Sequence, residues 1–332
     1  MHDGIDKKVF NVSYQDIISV ENLLDAWKEF RRGKKYKTDV LEFEYNLMAN
    51  ILDLHNGLNN KIYNHGVYHA FKVNDPKPRD IHKASVRDRV LHHAVYRILY
   101  PLYDKLFIAD SYSCRVNKGT HRAIYRFERF TRKVSKNYTK QCWVLKCDIR
   151  KFFASVDQEI LLNILQKKIN DKDILNLLQN IIQSFNSGVT GKGLPLGNLT
   201  SQLLVNIYMN EFDQYVKQTL KQKYYIRYAD DFVFVGDDMV ELEIVRQKCK
   251  AFLTQALKLS MHPDKVFIKT IYSGVDFLGW VHFPRHKVLR TSTKKRMLRN
   301  VNPRNIMSYL GVLSHGNGNK IRSMLELNKN GD

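Results

Sequence analysis

The sequence predicts an α+β fold, and three features carry that reading. Residues 224–236, YYIRYADDFVFVG, set two β-rich runs on either side of a three-residue polar break holding Asp230 and Asp231, the pattern of a β-hairpin. Residues 143–147, WVLKC, read as a buried strand that delivers Asp148 at its end. Around these strands, apolar residues recur at helical spacing. A tight turn accounts for one Asp. Two adjacent carboxylates between aromatic and β-branched strands repel each other, and keeping both ionised in a packed hairpin calls for a cation. A divalent metal with oxygen ligands, of the Mg²⁺ type, is the natural choice. The alternative is an exposed acidic turn.

Composition narrows the class. At 332 residues the chain is long enough for a large core and, by length, for about two domains. Its 44% hydrophobic content is that of a globular protein. No run approaches the roughly 18 apolar residues of a membrane span, and MHDGIDKKVF lacks the apolar core of a signal peptide. No membrane association and a cytoplasmic location are therefore expected. Cys114, Cys142, Cys147 and Cys249 lack zinc-ligand spacing and read as reduced thiols. Lys and Arg total 54 against 33 Asp and Glu, a formal charge of +21, which implies a polyanionic partner, nucleic acid before an anionic membrane. The 18 Tyr and 17 Phe interleave with these bases, as stacking on single-stranded bases requires, although most must be core.

Along the chain, residues 14–32 read as one helix that Ser19 can cap, with Leu23, Leu24, Trp27 and Phe30 on one face. The basic connector RRGKKYK follows, then a helix from near Asp39 carrying Phe43, Leu47, Ile51 and Leu54. Residues 68–91 combine a strand, a Pro-interrupted basic loop and the start of a helix through Val90, Ala94, Ile98 and Leu99. In residues 111–123, SYSCRVNKGTHRA, a basic Gly turn leads into a helix through Ile124, Phe127 and Phe130. Residues 158–187 are polar–apolar helices without legible chemistry. The Gly-rich stretch 188–202, GVTGKGLPLGNLTSQ, opens a helix with Val205, Met209, Phe212 and Val216 on one stripe, and such a loop lets backbone approach a nucleotide. From Arg285 to Arg304 the basic residues have no acid among them, which suits either a solvated tail or a grip on phosphates. No internal repeat is present.

Tyr228-Ala229-Asp230-Asp231 resembles the YxDD motif of reverse transcriptases, and the other blocks follow in that family's order over roughly residues 68–284. The resemblance implies a right-hand polymerase: N-terminal helices and fingers over 1–115, a palm with an antiparallel sheet over 116–284 (returning into the fingers at about 158–195), and a short basic helical thumb over 285–332. It implies Asp148, Asp230 and Asp231 as catalytic carboxylates holding two Mg²⁺ ions, with Mn²⁺ as a substitute and Ile149 as a further ligand. Two ions about 3.5–4 Å apart stabilise the attacking and leaving oxygens of phosphoryl transfer together.

In the first block Lys77, Arg79 and Arg89 are expected to meet a triphosphate through charge-assisted bonds, with Arg87 and Asp88 alternatively pairing to fix the fold. In the second, Arg115, Lys118, His121 and Arg122 would track the template backbone, His121 being otherwise a surface residue. In the third, Phe152 serves the core, and Phe153 falls where the family places a ring under the sugar, which would select dNTPs; the alternative is that Phe153 is core too. Lys265 in LSMHPDKVFI would approach the nucleotide, Phe277-Leu278-Gly279-Trp280 would grip the primer, and Lys294, Lys295 and Arg296 would begin the thumb's hold on phosphates. The chain closes soon afterwards, so no nuclease, integrase or maturase domain is expected.

The fourth block departs from the common pattern. Where most members have a polar residue before Gly and then Ser-Pro, this chain has Leu196-Gly197, three residues, and Ser201-Gln202. That variant resembles the reverse transcriptases of diversity-generating retroelements, which copy a template-repeat RNA into cDNA with errors at adenines, diversify a target gene, and work with a small basic accessory protein. The resemblance implies a bacterial, archaeal or phage-encoded enzyme whose Leu196, Gly197 and Gln202 border the nucleotide. Leu196 cannot donate the hydrogen bond that checks geometry; alternatively it is neutral packing. Group II intron-like or retron enzymes of ordinary fidelity, template-independent polymerases of the abortive-infection type, and an RNA-binding protein on a decayed palm are the competing readings.

Overall fold

A computed structural model describes residues 9–74 and 78–327, so Lys77 lies outside the described residues. The chain forms two compact units, Met1–Ala109 with Ile149–Thr219 and Lys250–Met261, and Asp110–Asp148 with Leu220–Cys249 and His262–Asp332. They interleave along the sequence, and each is taken by itself. Among the described residues no helix is long and apolar enough to cross a membrane.

The first unit is mostly helical. The helix expected over 14–32 is two, Tyr14–Ile18 and Val20–Arg31. Ser19 divides them: its extended backbone ends the first, while its side chain accepts from the Asn22 N–H and caps the second. Ser13 and Asp16 close a reciprocal capping box on the first. Leu23, Trp27 and Phe30 are buried as their spacing predicts, whereas Leu24 is half-buried. The next expected helix is likewise split at Asn46 into Thr38–Tyr45 and Leu47–Asn59, with Ile51 and Leu54 fully buried.

Arg87 and Asp88 do not pair, because successive helix residues point apart. Asp88 is buried and accepts from the Tyr63 and Ser85 hydroxyls, each at 2.7 Å, while Arg87 lies over the Tyr63 ring. Strands β1 (His69–Val73) and β2 (Arg79–Lys83) form an antiparallel ribbon in which Val73 faces Arg79. The stripe of the helix Leu199–Gln214 runs through Val205, Met209 and Phe212; Val216 is also buried, but in a π-helical turn, Tyr215–Thr219.

The second unit is built on a four-stranded antiparallel sheet of order β4-β5-β3-β6, from β3 (Trp143–Asp148), β4 (Tyr225–Tyr228), β5 (Asp231–Gly236) and β6 (Phe267–Thr270). The helix Thr120–Val134 lays Ala123, Phe127 and Phe130 into a core with Val144, Ile226, Val233 and Val235. The hairpin break is shorter than the sequence suggests: Asp231 already belongs to β5, pairing with Tyr228, and only Ala229 and Asp230 make the turn. A second sheet follows, β7 (Val275–Phe277), β8 (Trp280–His282) and β9 (Lys287–Leu289).

The basic run therefore begins in the β8–β9 turn and continues as a strand, and its helices start at Thr291. Nor is it without acids. Lys287 pairs with Glu128 at 2.6 Å and Arg290 with Asp276, partners that come from other elements and that a local count misses. Trp280, Leu289, Met297, Leu313, Ile321 and Leu325 form the core beneath these helices. Gly316 approaches Trp280 so closely that a Cβ would lie 2.1 Å from its ring.

Candidate active site

Antiparallel register brings the carboxylates of the second unit together. Asp148 is the last residue of β3 and Asp231 the first of β5, and they sit directly opposite. Directly opposed residues project to the same face of a sheet, and so do residues two apart on one strand. Lys146, Asp148 and Asp231 therefore share a face, with Asp230 in the adjoining turn.

Two ammonium groups answer the acids. Lys265 Nζ lies 3.0 Å from Asp148 Oδ1, and Lys146 Nζ, nearly buried, lies 3.4 Å from Asp231 Oδ1. The second contact is an ion pair rather than a hydrogen bond, for Asp231 Oδ1 is buried without a hydrogen-bond partner. Burial, then the charges of Asp231 and Asp148, push the Asp230 carboxyl up to about 6. Burial raises Asp231 as well, against the pull of Lys146.

Among the described residues no group of three or more His, Cys, Asp and Glu side chains forms a ready metal cage. The donor set nonetheless fits a hard divalent cation: three carboxylates in which Asp148 raises the pKa of both Asp230 and Asp231, and Asp231 has an orphaned buried oxygen. Ile149, the expected backbone ligand, follows Asp148, is buried, and bridges to Met261.

Sequence reasoning missed two residues here. Lys146 is a cation inside an otherwise apolar strand, two positions before Asp148. Arg227, fully buried, donates from Nη1 to the Ala229 carbonyl at 3.2 Å and from Nη2 to Ser111 Oγ at 3.1 Å. It thereby holds the turn on which Asp230 sits. The signal for both was a base within a run of strand formers.

The residues expected near the primer and template lie in the same unit. Leu278 and Gly279 form a two-residue turn with φ of 49° and 87°, the primed geometry that suits the strand twist. Phe277 and Trp280 are buried in separate cores, so only the turn itself is open to a ligand. Arg115 Nη1 donates to the Ser111 carbonyl, and Lys118 lies over the Tyr112 ring. The His121 ring packs tilted against that of His315, 3.9 Å between centroids. Lys294, Lys295 and Arg296 ride on the helix Thr291–Asn300, whose buried contact is Met297.

Apart from Lys265, which lies beside Asp148, the residues expected around the nucleotide belong to the first unit. The Leu196 carbonyl accepts from the His82 N–H at 3.0 Å, and Asn198 donates to the His82 carbonyl at 2.8 Å, so the loop adds onto β2, the strand that Arg79 opens. Gly197 has φ +110° and a Cβ there would stand 2.9 Å from Ile81, which excludes other residues on two counts. The Phe153 carbonyl accepts from the Leu194 N–H at 2.8 Å, bringing Phe153, half-buried beside the buried Phe152, to the same loop. Gln202 occupies the first turn of the following helix. Arg89 is engaged instead by Asp39 and by the Phe30 ring.

Comparison with known proteins identifies the family and the fold. Residues 72–282 match the family model of the reverse transcriptases (RNA-dependent DNA polymerases). Protein YkfC of Escherichia coli K12 is 26% identical over 260 residues, 67% of this chain and 66% of YkfC. The group II intron-encoded protein LtrA of Lactococcus lactis is 22% identical over 293 residues, 68% of this chain but 47% of LtrA. The chain thus spans about two thirds or less of these relatives. Among solved structures, telomerase of Candida albicans in complex with a telomeric RNA fragment superposes with a TM-score of 0.53 at 10% identity, over 77% of this chain and 51% of that one. Telomerase of Candida tropicalis gives 0.52 at 12% identity, over 67% and 48%. These structures share the right-hand polymerase fold. With the family model covering well over half of its length, the chain belongs to the reverse transcriptase family, the RNA-dependent DNA polymerases.

Proposed function

We propose that this chain copies RNA into DNA by attack of a primer 3′-hydroxyl on the α-phosphate of a dNTP, and that it does so as the mutagenic polymerase of a diversity-generating retroelement. The observation that carries the polymerase reading is the register that sets Asp148 opposite Asp231 beside the Asp230 turn, in a chain of this family. Asp148, Asp230 and Asp231, with the Ile149 carbonyl, would hold the divalent ions. When bound, such ions neutralise charge on the attacking and leaving oxygens. Lys265 beside Asp148 and Lys146 beside Asp231 offset the acids' charge before the ions arrive. Arg227 fixes the turn, so that positioning and charge stabilisation supply the catalysis. In this reading residues 1–115 serve as fingers, 116–284 as palm (returning into the fingers at about 158–195) and 285–332 as thumb. Template RNA, the cDNA strand and a small basic accessory protein are the partners.

Phe153 excludes a ribose 2′-hydroxyl. Phe153→Ala is expected to raise the ratio of rNTP to dNTP incorporation by about a hundredfold, since a steric check of this kind operates through lost or gained contacts worth a few kcal/mol. Primer extension with each nucleotide alone reads that ratio, and an unchanged ratio would return Phe153 to the core.

The mutagenic reading rests on Leu196 and Gln202. Leu196 presents no donor to the incoming base, so mispairs opposite template adenine are not rejected. Sequencing cDNA made from a defined RNA with four dNTPs and Mg²⁺ tests this. Errors should concentrate at template adenines, and Leu196→Gln should lower them about tenfold. Accurate cDNA from wild type, unaltered by an accessory factor, removes the retroelement reading and leaves the polymerase. The second reading, a group II intron-type enzyme of ordinary fidelity, is favoured by the similarity to LtrA.

A further inference from the structure

The second unit carries a cleft of about 730 Å³, lined in part by Arg285 and Lys287 from the start of the basic run and by none of the residues expected at the carboxylates or the nucleotide. Its walls are one face of the helix Thr120–Val134, the turn between β8 and β9, and the Gly316 turn. From that helix come Tyr125, Arg129 and Arg132; from the turn come Phe283, Arg285 and His286. The volume is that of a ligand site rather than a packing defect.

Charge and aromatic surface coincide there. Glu128 is the one acid of the lining, and Lys287 neutralises it at 2.6 Å. Among the described residues no carboxylate lies in ion-pair reach of Arg129, Arg132 or Arg285. Arg129 and Arg132 are three apart on one helix face, where like charges destabilise a helix. Tyr125 is 63% exposed, with Arg129 over its ring at 5.9 Å. Phe283 and His286 stack in parallel at 4.8 Å across the turn. Asn137 and Tyr138, also in the lining, follow Lys136 in a left-handed run with φ of 47°, 59° and 63°, which L-residues adopt at a cost. Strain of this kind gathers at ligand clamps.

The cleft is remote from the carboxylates. The N-terminus of the helix lies at the catalytic end, where Thr120 donates to the Tyr228 hydroxyl at 3.1 Å. Arg129 and Arg132 follow about 13 and 18 Å further along the axis. Tyr138 accepts from the Tyr272 hydroxyl at 2.8 Å, and neighbouring Thr270 pairs with Trp143, the end of β3 opposite to Asp148.

We infer that this cleft is a second polynucleotide site, which holds a single RNA strand away from the catalytic end. The three arginines would take successive phosphates, and the exposed rings would stack on unpaired bases. A duplex, with its bases already stacked, would gain only the charge.

Fluorescence anisotropy with a labelled oligouridylate of about 20 nucleotides, and with an RNA hairpin of equal length, tests this across a salt series. The variant Arg129→Gln/Arg132→Gln/Arg285→Gln is compared with a charge-matched control, Lys35→Gln/Lys37→Gln/Lys172→Gln, whose residues are exposed. The cleft variant should bind the single strand about tenfold more weakly than the control, with a salt slope smaller by about 2, at roughly 0.7 per phosphate released. Tyr125→Ala should weaken the strand and spare the hairpin. Incorporation on a short primer–template should be unchanged in Arg129→Gln/Arg132→Gln, whereas Asp230→Asn should lose incorporation and keep strand binding, so the two readings fail separately. Affinity and slope equal to the control, or equal losses on strand and hairpin, would overturn the inference. Should the triple variant not fold, photocrosslinking of 4-thiouridine RNA to wild type decides. Adducts at Tyr125 or Tyr138 support the site, and adducts confined to residues 115–118 and 277–280 overturn it.

Discussion

Asp230→Asn is expected to lower nucleotide incorporation by on the order of a thousandfold or more, the scale of losing a charge aimed at developing charge in the transition state. The same substitution should stabilise the metal-free protein. Burial and the neighbouring carboxylates raise the Asp230 pKa to about 6 in the folded state, against about 3.9 in an unfolded chain. Between those values the folded state binds more protons, so stability falls as pH rises from about 4 to 6 and stays low above that. Removing the acid removes the fall. In chelator at pH 8 the variant should exceed wild type by roughly 1–3 kcal/mol, and the gap should close near pH 4. Added Mg²⁺ should raise the melting temperature of wild type and leave that of Asp230→Asn/Asp231→Asn unmoved. Urea melts at the two pH values, thermal melts with and without Mg²⁺, and extension of oligo(dT) on poly(rA) give these quantities. Undiminished product from Asp230→Ala would mean that the hairpin is not the active site.

Arg227→Met should destabilise the protein by about 3–5 kcal/mol, because two hydrogen bonds to a charged group are worth about 1.5–3 kcal/mol each. Both lie where water cannot replace them, and the Ala229 carbonyl and Ser111 hydroxyl lose their donor. Arg227→Lys should recover little, since one ammonium cannot reproduce a planar fork that reaches two acceptors. The Asp230 turn would also lose its anchor, so residual folded protein should have lower kcat with little change in KM. Urea midpoints and steady-state extension separate the two effects. A loss under about 1 kcal/mol would show that the guanidinium is not what holds the turn.

Local pattern carried much of this molecule because strand and helix periodicities are short-range properties. The apolar run before Asp148, the alternation around Asp230 and the stripe through Val205, Met209 and Phe212 each contain their own answer. Where local signals conflict, the pattern misleads. Residues 14–32 read as one amphipathic helix, yet Ser19 prefers capping to continuing, because its hydroxyl satisfies an otherwise orphaned N–H. Asp231 reads as a turn residue by type, yet pairing with Tyr228 draws it into β5.

The sequence by itself determined the α+β class and the family, and it singled out the three acidic residues that the sheet brings together. Only the tertiary structure decided what balances their charge. Lys146, Lys265 and Arg227 reach their partners through strand register and chain reversals, over separations of up to 117 residues. The same holds for Lys287 with Glu128 and Arg290 with Asp276 in a run that looks wholly basic. Electrostatic energy depends on distance in space, and sequence separation carries almost none of that information.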